Sequence, residues 1–279
     1  MEHFNYGIHL KNKPKLKMKI LILTLTLLTV PLSVFSQNDN QYLPYGVKFE
    51  ERKVSKTYNN CDPDVTDCPN ININYVWMAE GKNKEYFNKQ AESIILNDVY
   101  KMENKSYSSI EDMANGFISD YVTFRKDYPE APGVGWYLDA YYDNVNDISS
   151  LLSFEISYEI YTGGAHPSNY QHYYNYDYNT AKPISLDDIF VPGFENKLNK
   201  LVEMAFREEN DLSPGQPLTD AGLFEDKLEY NDNFLLTRNG IIFHYNIYEI
   251  RAYVYGPTDV TVKYSDLIDL IDENGIGVY

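Results

Sequence analysis

Two stretches in the middle of the chain alternate in character with a period of two. Leu151–Tyr161 puts Phe154, Ile156, Tyr158 and Ile160 on one side, and Tyr170–Tyr178 puts Tyr170, His172, Tyr174, Tyr176 and Tyr178 on one side. Trp136–Val145 reads as a third long strand. Successive side chains of a strand point to opposite faces, so each run commits one face to an interior. The connections Asn146–Ser150 and Tyr161–Pro167 are short, which predicts antiparallel neighbours. A broad aromatic face left in water is unfavourable, so this one must be covered or used for binding.

The cover is legible as helical periodicity. In Lys84–Met102, Phe87, Ala91, Ile94, Ile95, Val99 and Met102 recur every three or four positions. A second helix starts near Ser108, where Ser108 and Glu111 have the spacing of a capping box. It buries Met113, Phe117, Ile118, Tyr121 and Phe124 and ends before Pro129. A third, Phe194–Glu208, carries Phe194, Leu198, Leu201, Val202 and Ala205 on one stripe, and Ser185–Phe190 forms a helical turn before it. Short helices are expected at Gly222–Leu228 and Ser265–Ile271. Further strands are expected at Val47–Tyr58, Ile71–Met78, Phe234–Leu236, Ile241–Tyr245 and Val260–Val262. The fold class is α+β, with helices packed on antiparallel β-sheet. It forms one unit or two subdomains, 37–130 and 131–279, behind a leader of residues 1–36.

The leader sets the expected compartment. Lys17 and Lys19 make a positive end, Ile20–Val34 an apolar stretch, and Ser36 a small residue before a polar run. That order is a secretory signal, with Met18 as an alternative start and cleavage after Ser36. The competing reading is a membrane anchor, but the uninterrupted apolar run ends at Pro31, short of the ~20 residues a bilayer span needs. The mature chain is therefore expected to be periplasmic or extracellular, with no stable membrane span. In an oxidising compartment Cys61 and Cys68, the only cysteines, are expected to close a small disulfide loop.

Charge narrows the partners. The chain has 24 Lys and Arg against 41 Asp and Glu, a formal charge of −17. Loss of the leader removes five lysines and one glutamate, leaving a chain still more acidic. A field of that sign repels phosphate backbones, so nucleic acid is not an expected partner. It favours a basic protein.

The most distinctive segment is Tyr161-Thr-Gly-Gly-Ala-His-Pro, between two expected strands. Gly163 and Gly164 permit turns that other residues resist, so Gly163, Gly164, Ala165 and His166 form a candidate binding loop. The loop either aims His166 at a ligand or uses the imidazole to tie itself down. Tyr170, Tyr174, Tyr176, Tyr248 and Tyr253 are candidate binding aromatics, because tyrosine offers rigid amphipathic area. Sheet packing is the other reading for them. His172 and His244 read first as packed strand residues. No H-E-x-x-H pair is present, and no metal site, cofactor or catalytic residue is assigned. Asp139, Asp143 and Asp147 have no diagnostic spacing and read as a solvated rim. Glu249 and Arg251 read as an ion pair on one strand face.

Three clusters carry a family resemblance: Gly163-Gly164-Ala165-His166, Tyr176-Asp177-Tyr178-Asn179-Thr180, and Ile184-Ser185-Leu186-Asp187-Asp188-Ile189-Phe190. Phe234-Leu235-Leu236-Thr237, Phe243-His244-Tyr245 and Tyr248-Glu249-Ile250 continue the pattern, and Tyr264–Leu270 closes it. The chain resembles the extracytoplasmic domain of the RsiV-like anti-sigma factors, which also accompanies some exported polysaccharide deacetylases. The resemblance implies a protein-binding or envelope-sensing domain, not necessarily one for lysozyme; a basic protein such as a lysozyme, or cell-envelope glycan, is the candidate partner. The chain departs from the pattern in carrying neither a cytoplasmic sigma-binding region nor a separate deacetylase domain. The alternatives are an enzyme acting on cell-envelope glycan, or a structural envelope protein.

Overall fold

The long alternating runs come together in one six-stranded sheet. The computed structural model describes residues 43–63, 67–100, 105–131, 133–273 and 275. The leader, its cleavage point and Met102 of the first helical stripe lie outside the described residues. In chain order across the sheet stand β1 (Lys48–Thr57), β2 (Asn70–Glu80), β3 (Tyr137–Asn144), β4 (Leu151–Tyr161), β5 (Ser168–Asp177) and β6 (Lys182–Pro183). All neighbours are antiparallel except β2 and β3, which run parallel. The exception has a cause. Between these two strands the chain builds α1 (Lys84–Asp98) and α2 (Ile110–Asp127), and a crossover of that length returns it to the end from which it started.

Both helices cover one face of the sheet. Phe87, Ala91 and Ile95 of α1 and Met113, Phe117 and Tyr121 of α2 meet Ile71, Ile73, Leu138, Ala140, Tyr142, Phe154 and Ile156 in a single core. The cap of α2 sits one residue later than the sequence suggests. Ser109 Oγ accepts the Asp112 N–H at 3.1 Å, and the Asp112 carboxylate accepts the Ser108 N–H at 2.9 Å. Two consecutive serines make either register possible, and Asp112 returns the bond expected of Glu111. Helix α1 ends at Asp98, shorter than its apolar periodicity.

A second core lies under a smaller antiparallel sheet, β7 (Phe234–Leu236), β8 (Gly240–Tyr245) and β9 (Thr258–Lys263). The buried stripe of α3 (Glu195–Glu209) is Leu198, Val202 and Phe206, and it packs with Ile241, Phe243, Val260 and Val262. A one-turn helix, α4 (Tyr264–Leu267), closes this core. Residues 222–228 are not helical. The short 3-10 turn is Leu218–Ala221, and Gly222 stops it at φ 87°. Residues 246–257 form a loop with one 3-10 turn, Tyr253–Tyr255, instead of a strand. Glu249 and Arg251 therefore do not share a strand face; Glu249 accepts from Asn231 Nδ2 and from the Asn246 N–H.

The two sheets are joined by side-chain amides. Strand β6 pairs only with Tyr176 and Asp177, so the earlier part of β5 needs other partners for its outer edge. Asn246 Oδ1 accepts the Gln171 N–H at 2.7 Å, and Asn246 Nδ2 donates to the Gln171 carbonyl at 3.0 Å. Asn233 Oδ1 accepts the Tyr173 N–H at 2.9 Å and its Nδ2 donates to the Gln171 carbonyl at 2.8 Å. Asn175 Nδ2 reaches the Phe234 carbonyl at 2.7 Å.

Cys61 and Cys68 are bonded, with Cα atoms 5.7 Å apart, in the connection from β1 to β2. Asp67 in that loop accepts from the Tyr121 hydroxyl and faces Arg125 at 3.9 Å, which ties the loop to α2. Among the described residues, no helix is long and apolar enough to cross a membrane.

Candidate functional site

The face of the large sheet opposite the helices is polar. Register places Asp139 opposite Glu159, Tyr141 opposite Ser157, and Asp143 opposite Glu155 on β3 and β4. On the next strand Asn169 lies opposite Glu159, Gln171 opposite Ser157 and Tyr173 opposite Glu155. Paired residues share a face, so these side chains form one surface of carboxylates, amides and hydroxyls.

The small sheet and its loop overhang part of that surface and turn it into a cleft of about 480 Å³. Asp139, Tyr141, Ser157, Glu159, Asn169 and Gln171 contribute from the large sheet. His244, Asn246, Ile247 and Pro257 contribute from the other side. Asn246 is fixed by its two bonds to Gln171, so the wall is anchored to the floor.

The polar groups of the cleft differ in how well they are partnered. Asn72 Nδ2 donates to Asp139 Oδ1 at 2.9 Å, and the Tyr137 hydroxyl donates to Glu159 Oε1 at 2.6 Å. Burial, and then that bond to a carboxylate, raise the pKa of the Tyr137 phenol. On the same sheet face but outside the cleft lining, burial pushes the Glu155 carboxyl up, opposed by a hydrogen bond from Ser157. His244 is 2 % exposed. Its Nδ1 lies 2.6 Å from Asp259 Oδ1, and its Nε2 has no hydrogen-bond partner among the described residues. In the neutral imidazole, a carboxylate at Nδ1 favours the tautomer with the proton there, and Nε2 is then an acceptor. Among the described residues, no group of three or more His, Cys, Asp or Glu is placed to hold a metal ion.

The residues singled out by sequence fall in three places. His166 is exposed and stacks on Tyr253, ring centroids 4.0 Å apart, while its Nε2 lies 3.3 Å from the Tyr248 hydroxyl. The loop Gly163–His166 and the two later tyrosines thus meet beside the cleft, although on β5 the cleft lining begins at Asn169. Gly163 and Gly164 adopt φ of 108° and 113°, a region that needs glycine. The Tyr170 and Tyr174 rings lie on the opposite, helix-facing side, half-buried, although Tyr170 is also among the residues that line the cleft. Tyr170 stacks on Tyr158 at 5.2 Å, and the Tyr174 hydroxyl donates to Asp98. Tyr176 is a core residue, 4 % exposed, set edge-on to Phe87, so its ring offers no surface to a partner. Sequence reasoning does not single out Glu159, Ser157, Tyr141, Gln171 or Asn246. A signal for the first three exists: they are the polar members of the same alternation whose apolar members mark the strands.

Residues 187–265 match the model of a family described as a protein of unknown function, DUF3298. The match takes in α3, β7, β8 and β9, together with His244, Asn246, Ile247 and Pro257 of the cleft wall. A stretch of 118 residues is 25 % identical to the peptidoglycan-N-acetylmuramic acid deacetylase PdaC of Bacillus subtilis strain 168, over 42 % of this chain and 25 % of that protein. The chain therefore spans about a quarter of that relative's length. A solved DUF3298 family structure from Bacteroides fragilis superposes with a TM-score of 0.65 at 21 % identity, over 82 % of this chain and 94 % of the other. One from Pseudomonas aeruginosa PAO1 gives 0.63 at 20 % identity, over 82 % and 95 %. The fold seen in those DUF3298 structures is the fold of this chain.

Proposed function

We propose that the chain is an exported glycan-binding module of the cell envelope and that the cleft between its two sheets is the binding site. One observation carries this reading. The cleft combines carboxylates, amides and a serine with the exposed Tyr141 ring. Sugars present hydroxyl edges and apolar ring faces, and such a surface satisfies both. The likeness to a protein named for peptidoglycan chemistry supports an envelope glycan as the ligand class.

A catalytic reading has its own support. The Asp259–His244 pair, 2.6 Å apart, orients an imidazole in the cleft wall as a general base is oriented. The receptor-like reading, with a basic protein such as a lysozyme as partner, draws on the net charge of −17.

One experiment separates the three. Soluble peptidoglycan fragments and a basic lysozyme are titrated calorimetrically against the purified chain, at low and physiological salt. Saturable binding of fragments, reduced at least tenfold by Tyr141→Ala, is the expected result. Saturable lysozyme binding with no response to fragments overturns the proposal in favour of a protein partner. Release of acetate or shortened glycan, abolished by His244→Ala, moves it to catalysis.

A further inference from the structure

Asp139 and Glu159 stand directly opposite each other on adjacent strands, both lining the cleft. Side chains so placed have Cβ atoms about 4.5–5.5 Å apart, and like charges there repel. Each carboxylate has one neutral donor, Asn72 for Asp139 and the Tyr137 hydroxyl for Glu159. Among the described residues, no lysine or arginine forms an ion pair with either. The fold thus holds two negative charges side by side without supplying a cation between them.

The wall of the cleft makes a separate demand. His244 is buried and forms part of the wall, and its Nε2 is without a partner among the described residues. With Nδ1 committed to Asp259, Nε2 is an acceptor waiting for a donor. An orphaned buried acceptor is unfavourable unless a partner arrives. Ser157 and Glu159 are two residues apart on β4, about 7 Å along the strand. The exposed Tyr141 ring lies on the same face, opposite Ser157. The cleft therefore combines a pair of carboxylates, an aromatic surface and an unpartnered acceptor in its wall.

We propose that the cleft selects a sugar with a free, protonated amino group, held between Asp139 and Glu159, while a hydroxyl or amide N–H of the same ligand donates to His244 Nε2. The inference rests on the glycan reading above and narrows it to de-N-acylated amino sugars. An N-acyl group removes the positive charge and brings a carbonyl acceptor to the two carboxylates, so acetylated chains bind less well. The Tyr141 ring adds an attraction for the ammonium group.

The test compares a glucosamine tetramer with an N-acetylglucosamine tetramer by calorimetry on the full chain, at pH 7 and at physiological salt. The free-amine tetramer is expected to bind at least tenfold more tightly. The double substitution Asp139→Asn, Glu159→Gln should erase that preference and leave any affinity for the acetylated tetramer. A control of equal charge loss on exposed residues elsewhere, Glu130→Gln with Glu225→Gln, should preserve it. Should the cleft double variant not fold, Glu159→Gln alone keeps an acceptor for Tyr137 and is expected to reduce the preference. Equal affinity for the two tetramers overturns this inference and leaves the glycan reading intact. No binding of either overturns both. Equal loss of preference in the cleft and control variants shows diffuse attraction to an acidic surface and overturns the inference.

Discussion

Asn246 makes with its side-chain amide the two bonds that a neighbouring strand would make with Gln171, accepting its N–H at 2.7 Å and donating to its carbonyl at 3.0 Å. Asn233 does the same across Tyr173 and Gln171. Replacement of Asn233 by alanine leaves the Tyr173 N–H unpaired next to a buried ring. Each buried group stripped of its partner is unfavourable by about 1–3 kcal/mol. Asn233→Ala should lower stability by about 2–4 kcal/mol, read as a lower urea midpoint. Asn169→Ala, on the exposed start of β5, should change it by less than about 0.5 kcal/mol.

Two glycines should respond very differently to alanine. A Cβ on Gly240 would lie 2.2 Å from the Val262 carbonyl oxygen, backbone that cannot turn aside. Gly240→Ala should therefore pry β8 from β9, with a loss of stability of several kcal/mol or failure to accumulate folded protein. Gly163 has open space around it and only its φ of 108° at stake. Gly163→Ala should fold, with a thermal midpoint a few degrees lower.

Reduction of the disulfide gives a third measurement. The loop from Cys61 to Cys68 is short, so the chain-entropy model assigns it about 2–3 kcal/mol. Loss of the bond also frees Asp67 from its place against Tyr121 and Arg125. Guanidinium unfolding with and without reductant should differ by about that amount, and Cys61→Ser with Cys68→Ser should behave like the reduced protein in both conditions. Identical midpoints would mean the bond contributes nothing.

His172 makes stability depend on pH. Burial lowers its folded pKa below the ordinary 6.5, partly opposed by Asp98. Between the folded and unfolded values the unfolded chain binds more protons, so stability rises with pH across that window. The contribution is fully present above about pH 6.5 and is lost as pH falls through the folded value. In His172→Gln the slope of stability against pH just below that ordinary value should flatten relative to the parent. A parallel slope in both proteins would remove His172 as its source.

The strands of the large sheet are legible in sequence because their apolar side alternates cleanly: Phe154, Ile156 and Tyr158 against polar neighbours at 155 and 157. Antiparallel pairing follows from short connections, and α1, α2 and α3 from their stripes. The parallel pairing of β2 with β3 is not legible, because it depends on where a two-helix crossover returns the chain. The cleft is hidden for a related reason. Its floor comes from residues 139–171 and its wall from 244–257, and no local spacing relates Glu159 to His244. Tyr248, Tyr253 and His166 stand out by residue type, and their meeting depends on two loops from different sheets. Tyr176 belongs to the same alternation as Tyr170, but it sits where α1 crosses, and Phe87 takes up its ring.

The division of the cleft between two stretches of chain has an evolutionary consequence. The segment that matches DUF3298 supplies the overhanging wall, and Asp139, Tyr141, Ser157, Glu159, Asn169 and Gln171 all precede it. Proteins that agree closely over that segment are free to differ in every residue beneath it. Under the glycan-binding proposal, ligand preference can then diversify through β3 and β4 while the recognisable part of the sequence stays the same.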